Sequence, residues 1–225
     1  AVGAQITIQR SLPPNTPGAL TGPNFVICNG VGRQVGNNLF HSFGQFNVGA
    51  GESATFTGLS STANVIGRVT GGQLSSINGL IDTRTFMPSA NFFLLNPAGV
   101  MLGSGASLNV GGAFHVSTAD YVCLGSAGCL NDPAAGKFFA NPNAPSVLTV
   151  AAPASFGFLA PSTGLITVDS TALSVDPGQT MSFVGGPVQV TGSQLTAPGG
   201  RVQLVSVSSA GEVALPGFNV VGVPR

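Results

Sequence analysis

Charge is what this chain has least of. Lys and Arg number seven and Asp and Glu seven among 225 residues, and the formal net charge is zero. Polyanion binding needs a concentrated basic surface, so a nucleic-acid partner is excluded. Exposed helix faces are normally built from Glu, Lys and Arg. A surface made instead of Asn, Ser, Thr and Gln favours strands and turns. No apolar run reaches the 18 residues of a transmembrane helix. The chain starts at Ala1, with no charged segment leading into an apolar one, so a signal peptide is expected to be absent or already removed.

Cysteine is scarce too: Cys28, Cys123 and Cys129 are too few for a disulfide-dependent scaffold. Cys123 and Cys129 enclose Leu-Gly-Ser-Ala-Gly, a flexible loop able to close as a small disulfide, with reduced buried thiols as the alternative. No second Cys or His pair stands at zinc spacing, so no metal site is expected.

Catalytic constellations are missing as well. There is no Gly-x-Ser-x-Gly elbow, and Gly49-Ala50-Gly51-Glu52 lacks the Lys-Ser/Thr of a phosphate loop. His41 lies between Phe40 and Phe43, and His115 between Phe114 and Val116. Both read as hydrogen-bonded structural histidines. Asp82, Asp120, Asp132, Asp169 and Asp176 are scattered, whereas glycan hydrolysis needs two positioned carboxyls. Asp82 and Asp120 are the nearest candidates for a pair assembled across the fold. The expectation is a protein that is not an enzyme and needs no cofactor.

What the chain does have is small and apolar residues. Hydrophobic content is 43%, with 15 Phe, 33 Gly and 16 Pro. No strict Gly-x-y period exists, which excludes collagen, and the apolar fraction argues for a packed interior. The apolar pattern has period 2 in short pieces: Gln5 to Gln9, Phe46 to Val48, Ala54 to Phe56, Leu108 to Val110, Leu165 to Val168, Leu173 to Val175, Val188 to Val190 and Arg201 to Leu204. Turn residues follow each piece, as expected for strands. Leu59 to Ile66 is the one stretch with a weak short-helix pattern.

Gly pairs at 71–72, 111–112, 185–186 and 199–200 each precede another strand pattern. Apolar triplets recur about 20 residues apart, Leu94 against Phe114 and Phe183 against Val202. Such periods mark a solenoid, in which each coil needs its neighbours to complete a core. Asn at coil corners suits left-handed backbone and local hydrogen bonding. A β-sandwich is the alternative, but Asn29-Gly30 and Asn78-Gly79 supply its hairpin motif only twice. Two regions depart from the pattern. Ser11 to Pro23, with Pro13, Pro14, Pro17 and Pro23, reads as an extended connector. Residues 131–161 carry five prolines and Phe138, Phe139, Phe156 and Phe158, an excursion folded back onto the body or an exposed binding patch.

The run Asn38-Leu39-Phe40-His41-Ser42-Phe43-Gly44-Gln45-Phe46-Asn47-Val48 resembles the start of the two-partner secretion domain of filamentous-haemagglutinin-like exoproteins of Gram-negative bacteria. Arg68-Val69-Thr70-Gly71-Gly72, Ser75-Ser76-Ile77-Asn78-Gly79 and Phe92-Phe93-Leu94-Leu95-Asn96-Pro97-Ala98-Gly99 follow in that family's order. Gly111-Gly112-Ala113-Phe114 completes the block, and Gly185 to Ser206 is similar to later coils of the longer, cyanobacterial-style members. The match runs from about residue 20 to 206. Ala98 replaces the Asn usual in the Asn-Pro-Asn-Gly signature, and a separate Asn-Pro-Asn-Leu motif has no counterpart.

The resemblance implies an all-β, right-handed, single-stranded parallel β-helix with β extensions, a single domain over 1–225 capped by residues 1–23. It implies a signal peptide removed before Ala1 and a longer adhesin-like exoprotein after Arg225. Its partner would be an outer-membrane β-barrel transporter with periplasmic POTRA domains, and the product would be secreted or displayed at the cell surface. A host or surface receptor would meet the rest of the exoprotein, and the domain itself would be monomeric. Asn96, Pro97 and Gly99 of the signature turn, with Asn38, Phe40, Phe43 and Phe46, become the candidate recognition residues. A stand-alone adhesive β-helix binding glycan or protein, and a polysaccharide-acting enzyme, are the alternatives.

Overall fold

The computed structural model describes residues 5–215, apart from 13–17, 127 and 131. The period-2 segments form short strands wound into coils with three faces. On the longest face Asn38–Phe46, Asn64–Val69, Asn91–Leu95, Phe114–Ser117, Thr180–Gly185 and Arg201–Ser206 stack in parallel. A second face stacks Ser75–Ile77, Val100–Leu102, Ile166–Asp169 and Val188–Thr191. The third stacks Asn24–Ile27, Ser53–Phe56, Leu80–Asp82 and Ser107–Asn109, and then the pair Ala172–Ser174 and Gln194–Thr196. This is a parallel β-helix, and the sandwich alternative falls. Asn78-Gly79 closes no hairpin; it turns the chain from the second face to the third.

The coil period is longer than the triplets suggested. Leu94 pairs with Val116 rather than Phe114, and Phe183 with Leu204 rather than Val202. A slip of two residues keeps every side chain on its face, so the apolar pattern alone cannot distinguish the two registers. The short helix over Leu59 to Ile66 does not form. A turn leads instead into the fully buried strand Asn64–Val69, where the β-branched Val65 and Ile66 are at home.

The lumen is filled by stacked rings. Phe43 meets Phe46 at 4.9 Å between centroids, Phe56 meets Phe92 at 5.3 Å, and Phe92 lies on Phe114 at 5.7 Å. Burying each such ring is worth about 1.5–3 kcal/mol, so successive coils are held together by side chains in register.

The first rung would leave an open ladder edge, a template for unwanted pairing. Two antiparallel strands share it. Ile6–Ile8 covers the second half of Asn38–Phe46, and Arg33–Val35 covers the first. The expected cap before Pro23 is therefore completed by a strand after it. Gly18–Ala19 pairs with Ile6–Ile8, so the connector contains a strand of its own. Pro13, Pro14 and Pro17 lie outside the described residues.

An antiparallel sheet leans against the longest face. Tyr121–Leu124 pairs with Gly136–Phe139 and with Pro153–Phe158, which also pairs with Gly211–Ala214. Phe138, Phe156 and Phe158 are buried there against Phe40, Ile66, Phe93 and Val184. Phe139 is half-buried beside Tyr121. The rings of the Pro/Gly-rich stretch are thus a second core and not an exposed patch. Among the described residues no helix is long and apolar enough to cross a membrane.

Candidate functional site

The signature turn is a corner that joins three coils. Asn96 follows the buried strand Asn91–Leu95 and is itself 1% exposed. Its Oδ1 accepts from the Ala98 N–H at 3.0 Å, and its Nδ2 donates to the Gln73 carbonyl and the Ser75 Oγ, both at 2.9 Å. The Asn96 backbone N–H donates to the Ser117 carbonyl of the next rung. One amide thus ties its own turn to the coil before while its backbone ties it to the coil after. Pro97 takes the second turn position, where φ near −65° is wanted, and the turn closes from Gly99 N–H to the Asn96 carbonyl at 3.0 Å. Gly99 has φ +117°, and a Cβ there would lie 2.7 Å from the Leu165 carbonyl oxygen. Positive φ and close approach both require glycine at this position. Ala98 is exposed with ordinary negative φ, so the left-handed tolerance of the usual Asn is not needed.

The other candidates lie along the first rung of the same face, with Asn38 at the end opposite the corner and Phe43 level with it. Asn38, Asn64 and Asn91 open three successive rungs and form a ladder. Asn91 Nδ2 donates to Asn64 Oδ1 at 2.9 Å, and Asn64 Nδ2 to Asn38 Oδ1 at 2.8 Å. Asn38 Nδ2 ends the ladder on the carbonyls of Thr149 and Ala151 in the packed extension. Phe43 and Phe46 point into the lumen, while Phe40 packs outward on Phe138 at 5.1 Å. The structure therefore splits the candidates between the first rung and a corner two rungs further on. Pro97 alone among them is exposed. The TPS secretion domain family model matches residues 4–223. The chain belongs to the TPS secretion domain family. No curated protein matches it.

The histidines of this TPS domain differ from one another. His115 Nδ1 lies 2.6 Å from Ser182 Oγ and its ring stacks on Phe93. His41 is buried between Phe43 and Phe56, and neither ring nitrogen has a hydrogen-bond partner among the described residues. The expectation of a hydrogen bond thus holds for His115 and fails for His41. Burial lowers the pKa of both to about 3. Both are neutral at physiological pH, as desolvation disfavours the charged form.

Cys123 and Cys129 are joined, with Cα atoms 5.6 Å apart. Cys28 is free and exposed. Beside the disulfide lies a residue that the sequence reading missed. Glu212 is 2% exposed and accepts from Tyr121 Oη at 2.8 Å, Ser155 Oγ at 3.0 Å and the Cys129 N–H at 3.0 Å. Burial, and after it the Glu212 carboxylate, push the Tyr121 phenol well above its ordinary pKa. Cys123, Cys129 and Glu212 form the one metal-like trio among the described residues, and two of its ligands are consumed by the disulfide. Asp82 is held by Thr85 and Asn109, and Asp120 accepts from the Leu159 N–H. Each carboxylate has a structural task.

Arg68 was visible in sequence only as the first residue of a motif. It emerges as a fully buried guanidinium beneath the extension, 4.7 Å from the Phe138 ring centroid.

Proposed function

We propose that this secretion domain directs a longer adhesin-like exoprotein across the outer membrane through a cognate β-barrel transporter, engaging its periplasmic POTRA domains while still extended. The family match across residues 4–223 carries this reading. The burial of Asn38, Phe40, Phe43, Phe46 and Asn96 supports the timing. Groups enclosed by finished coils are accessible to a partner only in the extended chain. Strand addition then supplies affinity through main-chain pairing, and alternate side chains set the register. Folding outside the cell buries the same groups and opposes backward movement. The domain acts as a monomer without catalysis or cofactor, and the receptor of the exoprotein is met by other parts of it.

Co-expression with the cognate transporter tests the proposal. Deleting residues 24–119 removes the first rungs and the signature corner and should abolish export. Undiminished export of the deleted form overturns it.

A further inference from the structure

Arg68 brings a positive charge into the protein where no group of opposite sign among the described residues meets it. It is 1% exposed, and burial lowers its pKa to about 10, so it stays charged at neutral pH. All seven Asp and Glu side chains lie among the described residues, and none reaches it. Asp176 pairs with Arg84, Glu212 sits beside the disulfide, Asp82 is held by Thr85 and Asn109, and Asp169 binds Ser170. Glu52, Asp120 and Asp132 accept from backbone N–H groups.

Counting donors locates what is left over. Arg68 Nε donates to Ser42 Oγ at 2.9 Å and Nη2 to Ser11 Oγ at 2.7 Å. Nη1 donates to the Phe139 carbonyl at 2.6 Å and to Ser146 Oγ at 3.4 Å. A guanidinium has five N–H groups, so one on Nη2 has no acceptor among the described residues. The Ser11 hydroxyl is already given to Ser42. Ser146 Oγ accepts from Arg68 and from the Phe139 N–H, while its own O–H has no acceptor among the described residues. Arg68 and Ser146 line the same cavity of about 360 Å³ with Ser11, Leu12, Val35, Pro142 and Leu148, and with Arg33, whose side chain is exposed and already engaged elsewhere.

We propose that this cavity binds a small carboxylate with a short apolar tail, its oxygens accepting from Arg68 Nη2 and Ser146 Oγ. One buried charge calls for one negative charge. The remaining guanidinium N–H makes a charge-assisted bond to a carboxylate, and such bonds are the strong ones. Two spare donors match two carboxylate oxygens, whereas a phosphate dianion would leave several lone pairs unmet. The carbon walls take the tail.

Butyrate titrated into the ¹⁵N-labelled 225-residue domain is the test, followed at the Arg68 side-chain Nε–H and the Phe139 backbone N–H. The Arg68 signal is assigned by its loss in Arg68→Lys. Saturable millimolar binding of butyrate, with no response to the neutral isostere butyramide, is expected. Ser146→Ala should weaken butyrate about tenfold, since it removes a bond to a charged group. N-acetyl-Ala-Val presents the same carboxylate at a peptide end: tighter binding than butyrate assigns a peptide ligand, weaker binding a free acid. An equal response to butyramide, a non-saturating one, unchanged affinity in Ser146→Ala, or tighter binding of inorganic phosphate overturns the proposal. Followed at the Phe139 N–H, the comparison of butyrate with butyramide needs no variant, so it stands even where Arg68→Lys fails to fold.

Discussion

Mild acid should destabilise this domain through its two histidines. The pKa of His41 and His115 is about 3 in the folded protein against 6.5 for the free side chain. The unfolded chain therefore binds more protons than the folded one between those values, and stability rises with pH across that window. It is fully present above the unfolded pKa and is lost as pH falls toward 3. Protonating the unfolded state between pH 7 and pH 5 costs about 2 kcal/mol of stability per histidine and about 4 kcal/mol for the pair. Typical domains are stable by about 5–15 kcal/mol in all, so the loss is large.

Urea unfolding at the two pH values measures it, with the midpoint falling at constant slope. His41→Phe separates this cause from any other. A phenyl ring keeps the stacking on Phe43 and the edge-on contact with Phe56 while removing two buried nitrogens that have no partner among the described residues. The variant should fold, match or exceed the wild type at pH 7, and retain about half of the pH sensitivity. Equal wild-type stability at pH 7 and pH 5 would refute the reasoning, and so would undiminished sensitivity in His41→Phe.

Three further outcomes follow from the corner and the disulfide. Gly99→Val places a Cβ against the Leu165 carbonyl at positive φ, and should cost about 1–3 kcal/mol in urea unfolding. Asn96→Ala strands the Ser75 hydroxyl and the Gln73 carbonyl, costing about 1–3 kcal/mol. Export assayed alongside assigns direct recognition if it fails while stability holds, and folding alone if the two fall together. Cys129→Ser opens a loop that separates its cysteines by six positions, and should cost about 2 kcal/mol by loop-closure entropy, measured with the wild type kept oxidised.

The fold was legible because a β-helix repeats a local rule. Ile166-Thr167-Val168 and Val188-Gln189-Val190 alternate alike and end in turn residues, and they are paired rungs of one face. Exact register was less legible, because slips of two residues preserve the pattern. The Leu59 to Ile66 stretch misled for a related reason: turn residues ahead of a fully buried strand show no alternation, so neither period is visible there. The corner was readable because Pro97 and Gly99 declare their backbone geometry, and Asn96 stands where its amide can close the turn. The Asn38–Asn64–Asn91 ladder left a trace as well, in asparagines 26 and 27 positions apart that each open a rung.

The buried polar groups followed no such rule. Arg68 reaches Ser11 and Ser146, 57 and 78 positions away, and Glu212 reaches Tyr121 across 91. The bond to Ser11 exists because the N-terminal strand lies along the first rung, and the others because the extension sheet lies across the longest face and Gly211–Ala214 returns from the last coils to close it. Sequence periodicity reports which residues share a face of one coil. It carries no record of which foreign segment is laid over that face. A burial cost of several kcal/mol per charge is tolerable only where every donor is met. At Glu212 the cover supplies Tyr121 and Ser155 directly. At Arg68 it supplies carbonyl and hydroxyl oxygens and no anion, and that imbalance distinguishes a site with room for a ligand from one already closed.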